Sequence, residues 1–225
     1  MIDAKRILPG ILLFVLWALP AWSSPWVDIA PTAVAEAAGR GLPRFLDAIP
    51  ANQMYQFGFL AEDEMARATL SDPFRTYTIR PADLLSFEGG QDITSIVRAT
   101  SLWTFPVVSS GEPRALLTVD LMGGEWRAVD LAGSPLAAEM ASVGAYVDGF
   151  AGWEARYLRI YQAACSFVLL TRDDEARLVP LESGALILGL IHSGERYEYT
   201  TVDPSEAILA LAPIVRENLG PRMEE

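Results

Sequence analysis

Lysine is nearly missing from this chain. Among 225 residues it occurs once, as Lys5, and every other base is arginine. Beyond the N-terminal segment there is therefore no amine side chain for a Schiff base, a Ser-Lys dyad or a phosphate-binding loop. Histidine also occurs once, as His192, which excludes a multi-histidine zinc centre. The single cysteine, Cys165, can form no disulfide within the chain, so stability must come from burial of a core. No Gly-x-Ser-x-Gly elbow is present, which removes the nucleophile motif of the α/β-hydrolases. Gly89-Gly90 and Gly123-Gly124 read as turns rather than phosphate cradles, because no helix pattern opens after them. From this inventory we expect no metal and no cofactor.

What the chain does have is apolar material, 51% of its residues against 20% charged, which suits a packed globular core. Acids outnumber bases 29 to 17, for a net charge of −12. Such a surface repels phosphate backbones and anionic lipid, so nucleic acid is not expected as a partner. The N-terminus reads as a secretory signal over residues 1–23: Lys5 and Arg6, an apolar run from Ile7 to Trp22, then the small-residue exit Ala21-Trp22-Ser23. Pro9 and Pro20 interrupt the run, which is shorter than the roughly 20 apolar residues of a membrane-spanning helix. Cleavage after Ser23 would make the protein secreted or periplasmic, with no stable membrane insertion; the alternative is an uncleaved anchor. No cysteine follows the run to carry a lipid.

Residues 24–225 read as one α+β domain, with a division into two lobes, 24–133 and 134–225, as the alternative. The expected architecture is an antiparallel β-sheet meander with helices packed mainly on one face. Alanine-rich residues 31–48 predict helix, broken in two by Gly39, Gly41 and Pro43. Residues 61–70 predict a helix whose first turn gathers Glu62, Asp63 and Glu64, as the helix dipole prefers. Residues 74–79 predict a strand. Residues 98–108, 114–122 and 125–131 predict three more, joined by tight turns at Ser109-Ser110-Gly111-Glu112 and Gly123-Gly124. Ser134-Pro135 opens a helix to about Val147. Residues 156–170 read as a buried strand in their second half and either helix or strand in their first. A polar hairpin turn at 171–175 leads to a strand over 176–181, further strands are expected at 185–191 and 196–202, and Asp203-Pro204 starts a final helix to Leu219.

The chemistry-bearing residues are few. Cys165 and His192 are the only thiol and imidazole, but Cys165 stands in the apolar run Ala163 to Val168, where it packs as a small hydrophobe. His192 enters a turn, as a lone base, a pH-sensitive group or a turn residue. The acids at 62–64 and 173–175 read as solvated faces, the second lacking the ligand spacing of a calcium loop. Aromatic residues stand out instead. Trp103, Trp126, Trp153 and Tyr157, with His192, are the candidate ligand contacts, while Trp103 and Trp126 equally suit cross-strand core positions.

Gly58-Phe59, residues 62–70, Pro73-Phe74, Trp103-Thr104-Phe105-Pro106-Val107, Gly111-Glu112-Pro113 and Gly124-Glu125-Trp126 follow one another in an order that resembles a type of exported bacterial protein with no assigned activity. Its layout, a short helix ahead of an antiparallel sheet, is similar to cystatin-like and pro-region modules. The resemblance spans about residues 55–181, implies a fold style and an export route, and carries over no catalytic residue. A poor catalytic inventory on a well-formed sheet predicts an exported, non-enzymatic binding or accessory protein. It would dock a peptide or protein partner by strand addition or aromatic contact, with an inhibitor or intramolecular chaperone as a special case. The alternative is a metal-independent hydrolase of glycans or other envelope polymers, using two carboxylates that converge in an apolar-walled cleft, with His192 assisting.

Overall fold

The structure is a computed structural model that describes residue 26 and residues 28–220; the segment read as a signal peptide lies outside them. Its centre is the expected meander. Strands β3 (Val97–Ser109), β4 (Glu112–Met122) and β5 (Glu125–Ala132) pair antiparallel in sequence order. Both connections are two-residue turns in the left-handed region, Ser110 (φ 55°) with Gly111 (φ 80°) and Gly123 (φ 60°) with Gly124 (φ 85°). Left-handed turns match the right-handed twist of the strands they join, which is why glycine falls at these positions.

Two further strands precede β3: β1 (Thr69–Leu70), and β2 (Phe74–Ile79), which pairs antiparallel with β3. On its other side β2 runs parallel to β6 (Glu154–Ile160), which pairs antiparallel with β7 (Cys165–Arg172), and β7 with β8 (Glu175–Pro180). The eight strands form one sheet in the order β5-β4-β3-β2-β6-β7-β8, with β1 beside β3, so a continuous sheet crosses the boundary at residue 133. Residues 156–170 are not one segment but parts of two strands, turned at Tyr161–Ala163 with Ala164 at φ 50°. Every residue of β7 except Arg172 is buried, so both faces are apolar and no alternation marks its bounds.

Helices lie on both faces of the sheet. Val168 and Leu170 meet Ala137, Met140, Val143 and Val147 of α4 (Ser134–Val147), while Phe167 and Leu169 point the other way, toward α3 (Pro81–Leu85) and α6 (Pro204–Leu219). The Asp203 side chain caps α6 by accepting from the Glu206 N–H at 3.0 Å. Helix α1 (Thr32–Asp47) packs on β4 and β5 as one unbroken helix. The expected break does not occur because Gly41 is the contact point: a Cβ there would collide with the Ala128 methyl. Helix α2 (Glu62–Ala66) is shorter than the pattern predicts, because Thr69 and Leu70 are taken into the sheet by β3. The expected strands at 185–191 and 196–202 are replaced by α5 (Glu182–Ile187) and by an irregular run that makes a backbone bridge to the sheet at Val202 and Leu178 and packs Tyr199 against the α4 cluster.

Candidate functional site

A groove of about 380 Å³ lies on the α4 face between α4, the entry to β2 and the β3–β4 hairpin. Helix periodicity supplies one wall: Ala137, Met140, Ala141 and Gly144 share one stripe of α4, and Asp148 follows just past its C-terminus. Strand residues Pro106, Val108, Pro113 and Leu116 supply the opposite wall. At one end sits Trp26, which bridges Ala155 in parallel register. Its ring lies 5.0 Å from Phe74, which meets Tyr157 edge-on at 5.3 Å. Trp26 thus extends the aromatic floor from the buried core into the groove. The wall is open at Gly144, where an added Cβ would meet nothing within 4 Å.

Charge enters this apolar recess only at its rim, through the carboxylates of Asp72 and Asp148, both exposed. Apolar walls with a rim of one sign suit an apolar ligand that carries positive charge. The two acids do share a cleft with an aromatic ring, as a carboxylate hydrolase requires. Both carboxylates are exposed at the mouth of the recess. A second, more polar hollow of about 430 Å³ lies between α1 and α2, with Asp47 and Glu62 among its lining residues.

None of the five residues singled out from sequence lines the groove, and the fold does not bring them together. Trp103 is 3% exposed, packed in the core under α1 with the Arg75 guanidinium 5.6 Å from its ring centre. Tyr157 is buried beside α4, its hydroxyl sharing a 2.9 Å hydrogen bond with the Ser166 hydroxyl. Trp126 is half-buried against the α1 cluster. These three are packing positions, held by cross-strand neighbours. Trp153 remains half-exposed, with the guanidinium carbons of Arg172 and Arg177 at 4.8 and 4.9 Å from its ring centre. His192 is exposed in the turn after α5, where its backbone N–H donates to the Glu195 carboxylate at 3.0 Å.

Burial pushes the Cys165 thiol up to about 12, so it stays protonated at neutral pH and cannot act as a thiolate. The acidic run at α2 is not wholly solvated. Asp63 pairs with Arg67 at the surface, but Glu64 turns inward, accepting from Arg114 at 2.5 Å and from the Leu60 N–H at 2.7 Å. It ties α2 to β4. Among the described residues, no group of three His, Cys, Asp or Glu side chains is placed to hold a metal, and no helix is long and apolar enough to cross a membrane.

Sequence reasoning missed Trp26, Asp72 and Asp148. Asp72 falls just past the helix expected over 61–70 and Asp148 just past the one expected to end near Val147, and a lone acid beside a turn carries no signal of what it faces. Trp26, an aromatic just beyond the expected cleavage point, was the one visible hint. No family model matches the chain, and neither a curated protein nor a solved structure matches it.

Proposed function

We propose that this chain is an exported, non-enzymatic binding protein whose α4 groove takes apolar side chains of a cationic peptide or protein partner. One observation carries the reading: an apolar groove of about 380 Å³ whose charged rim residues are Asp72 and Asp148, in a chain of net charge −12. A partner with alternating apolar and basic residues would place its apolar groups against Met140, Leu116 and Trp26 and its cations against the rim. Export is supported by the N-terminal pattern of residues 1–23.

The test is calorimetric titration with a short peptide of alternating leucine and lysine, against its leucine and glutamate counterpart. Saturable binding of the lysine peptide alone is expected. Gly144→Leu, which fills the open wall, should weaken it at least about tenfold. Replacing Asp72 and Asp148 together by Asn should weaken it and flatten its salt dependence. Equal binding of the glutamate peptide, or binding untouched by Gly144→Leu, would sink the proposal. The hydrolase reading rests on the same two carboxylates. Release of reducing ends from a glycan panel, abolished by Asp72→Asn or by Asp148→Asn, would put it in first place.

A further inference from the structure

We infer that Trp153, Arg172 and Arg177 form a second site, an arginine clamp for a carboxylate carried on an apolar ring. The β7–β8 hairpin sets the two arginines side by side. Leu170 pairs with Arg177 and Arg172 with Glu175, so both guanidiniums rise from the α4 face of the sheet, where Val168 and Leu170 also point. Trp153, just ahead of β6, meets both, at 4.8 and 4.9 Å. Stacking on an indole fixes the plane of a guanidinium and leaves its N–H edge outward, the arrangement that grips an oxyanion in bidentate fashion.

The ion pairing leaves both arginines open to a further anion. Glu175 is the carboxylate near both arginines, at 3.6 and 3.8 Å, beyond hydrogen-bond length. Among the described residues, neither guanidinium donates a hydrogen bond shorter than those contacts, and both side chains are nearly half exposed. Among the described residues the two cations share one ion-pair partner, Glu175, while Asp173 and Asp174 of the intervening turn form no ion pair with them. An apolar platform adjoins the clamp: Phe150 meets Trp153 edge-on at 6.3 Å, Tyr146 lies 5.4 Å from Phe150, and all three rings are half-buried. A ligand with a carboxylate on a flat apolar body can therefore set its charge on the arginines and its body along the rings. This site lies across α4 from the groove and does not depend on what the groove binds.

The probe is benzoate, titrated into the full chain labelled with 5-fluorotryptophan and followed by fluorine NMR, with the Trp153 resonance assigned by Trp153→Phe. A saturable shift of that resonance is expected. Arg172→Gln and Arg177→Gln should each weaken it about fivefold or more, as loss of one charge-assisted pair implies. Glu175→Gln should tighten it, because the competing carboxylate is gone, an outcome that a purely structural arginine pair would not give. Benzyl alcohol should leave the resonance unmoved. Absence of a saturable shift, a shift that survives in the double arginine variant, or saturation by inorganic phosphate without saturation by benzoate would each overturn the clamp.

Discussion

Helix α4 divides one sheet face into two unlike surfaces. On its β3–β4 side the wall is small and apolar, Ala137, Ala141 and Gly144 against Pro106 and Val108, and the charges are carboxylates. On its β7–β8 side the surface is built of rings, Tyr146, Phe150 and Trp153, and the charges over them are guanidiniums. The difference shows how little a net charge of −12 says about any one surface. Strand alternation and helix periodicity sort the same few acids and bases into patches of opposite sign. It also separates shape from chemistry: the groove is formed by what is absent at Gly144, the clamp by what is stacked on Trp153.

The comparison is broken most severely from beneath. Leu170 is fully buried under α4 between the two surfaces, and replacing it by Ala leaves a cavity that the surrounding strands cannot close. We expect a loss of about 2–5 kcal/mol in urea denaturation and a weakening of groove and clamp together. If one surface kept its affinity while the other was lost, α4 would not be their common support. A smaller change separates them. Gly144→Ala adds a methyl that meets nothing within 4 Å in a helix interior, so it should stabilise by up to about 1 kcal/mol. Gly144→Leu should close the groove and leave benzoate binding at Trp153 unchanged, whereas loss of both would mean that the helix had shifted.

Much of the scaffold was legible. The β3–β5 meander, α4 and α6 follow from glycine turns, a first-turn proline and the Asp203 cap, all of which act within a few residues. What could not be read depends on distant partners. Gly41 looks like a helix breaker until Ala128 is seen beside it. Gly184 carries no sequence signal, yet in the first turn of α5 a Cβ there would lie 2.7 Å from the Ser166 carbonyl oxygen. Glu64 reads as helix-end electrostatics until Arg114, on another strand, reaches it. The site was the least legible part for the same reason. Trp103 and Tyr157 differ from Trp153 only in what the fold places over them, and Arg172 reads as turn charge and Arg177 as an ordinary strand residue until the hairpin pairs them.

Protonation gives the finest distinction between the two sides. Glu139 belongs to the aromatic side of α4, where its carboxylate accepts the Glu182 N–H at 2.5 Å and its backbone carbonyl accepts the Tyr199 hydroxyl at 3.2 Å. Burial raises its pKa above the ordinary 4.5; the Glu182 N–H opposes that rise and the Glu182 charge adds to it. An acid with a raised folded pKa holds more protons in the native than in the unfolded state between those two values. Stability therefore falls as pH climbs through that window, and the cost is fully present at neutral pH. Gln at this position keeps the acceptor for the Glu182 N–H and removes the charge. Glu139→Gln should thus raise the melting temperature at pH 7, with the gain fading as pH drops toward about 4, where Glu139 is itself protonated. Thermal melts of both proteins at the two pH values decide it: a gain of equal size at both would assign the effect to packing rather than to the buried charge, and α4 would then differ across its width in shape and surface charge but not in its response to pH.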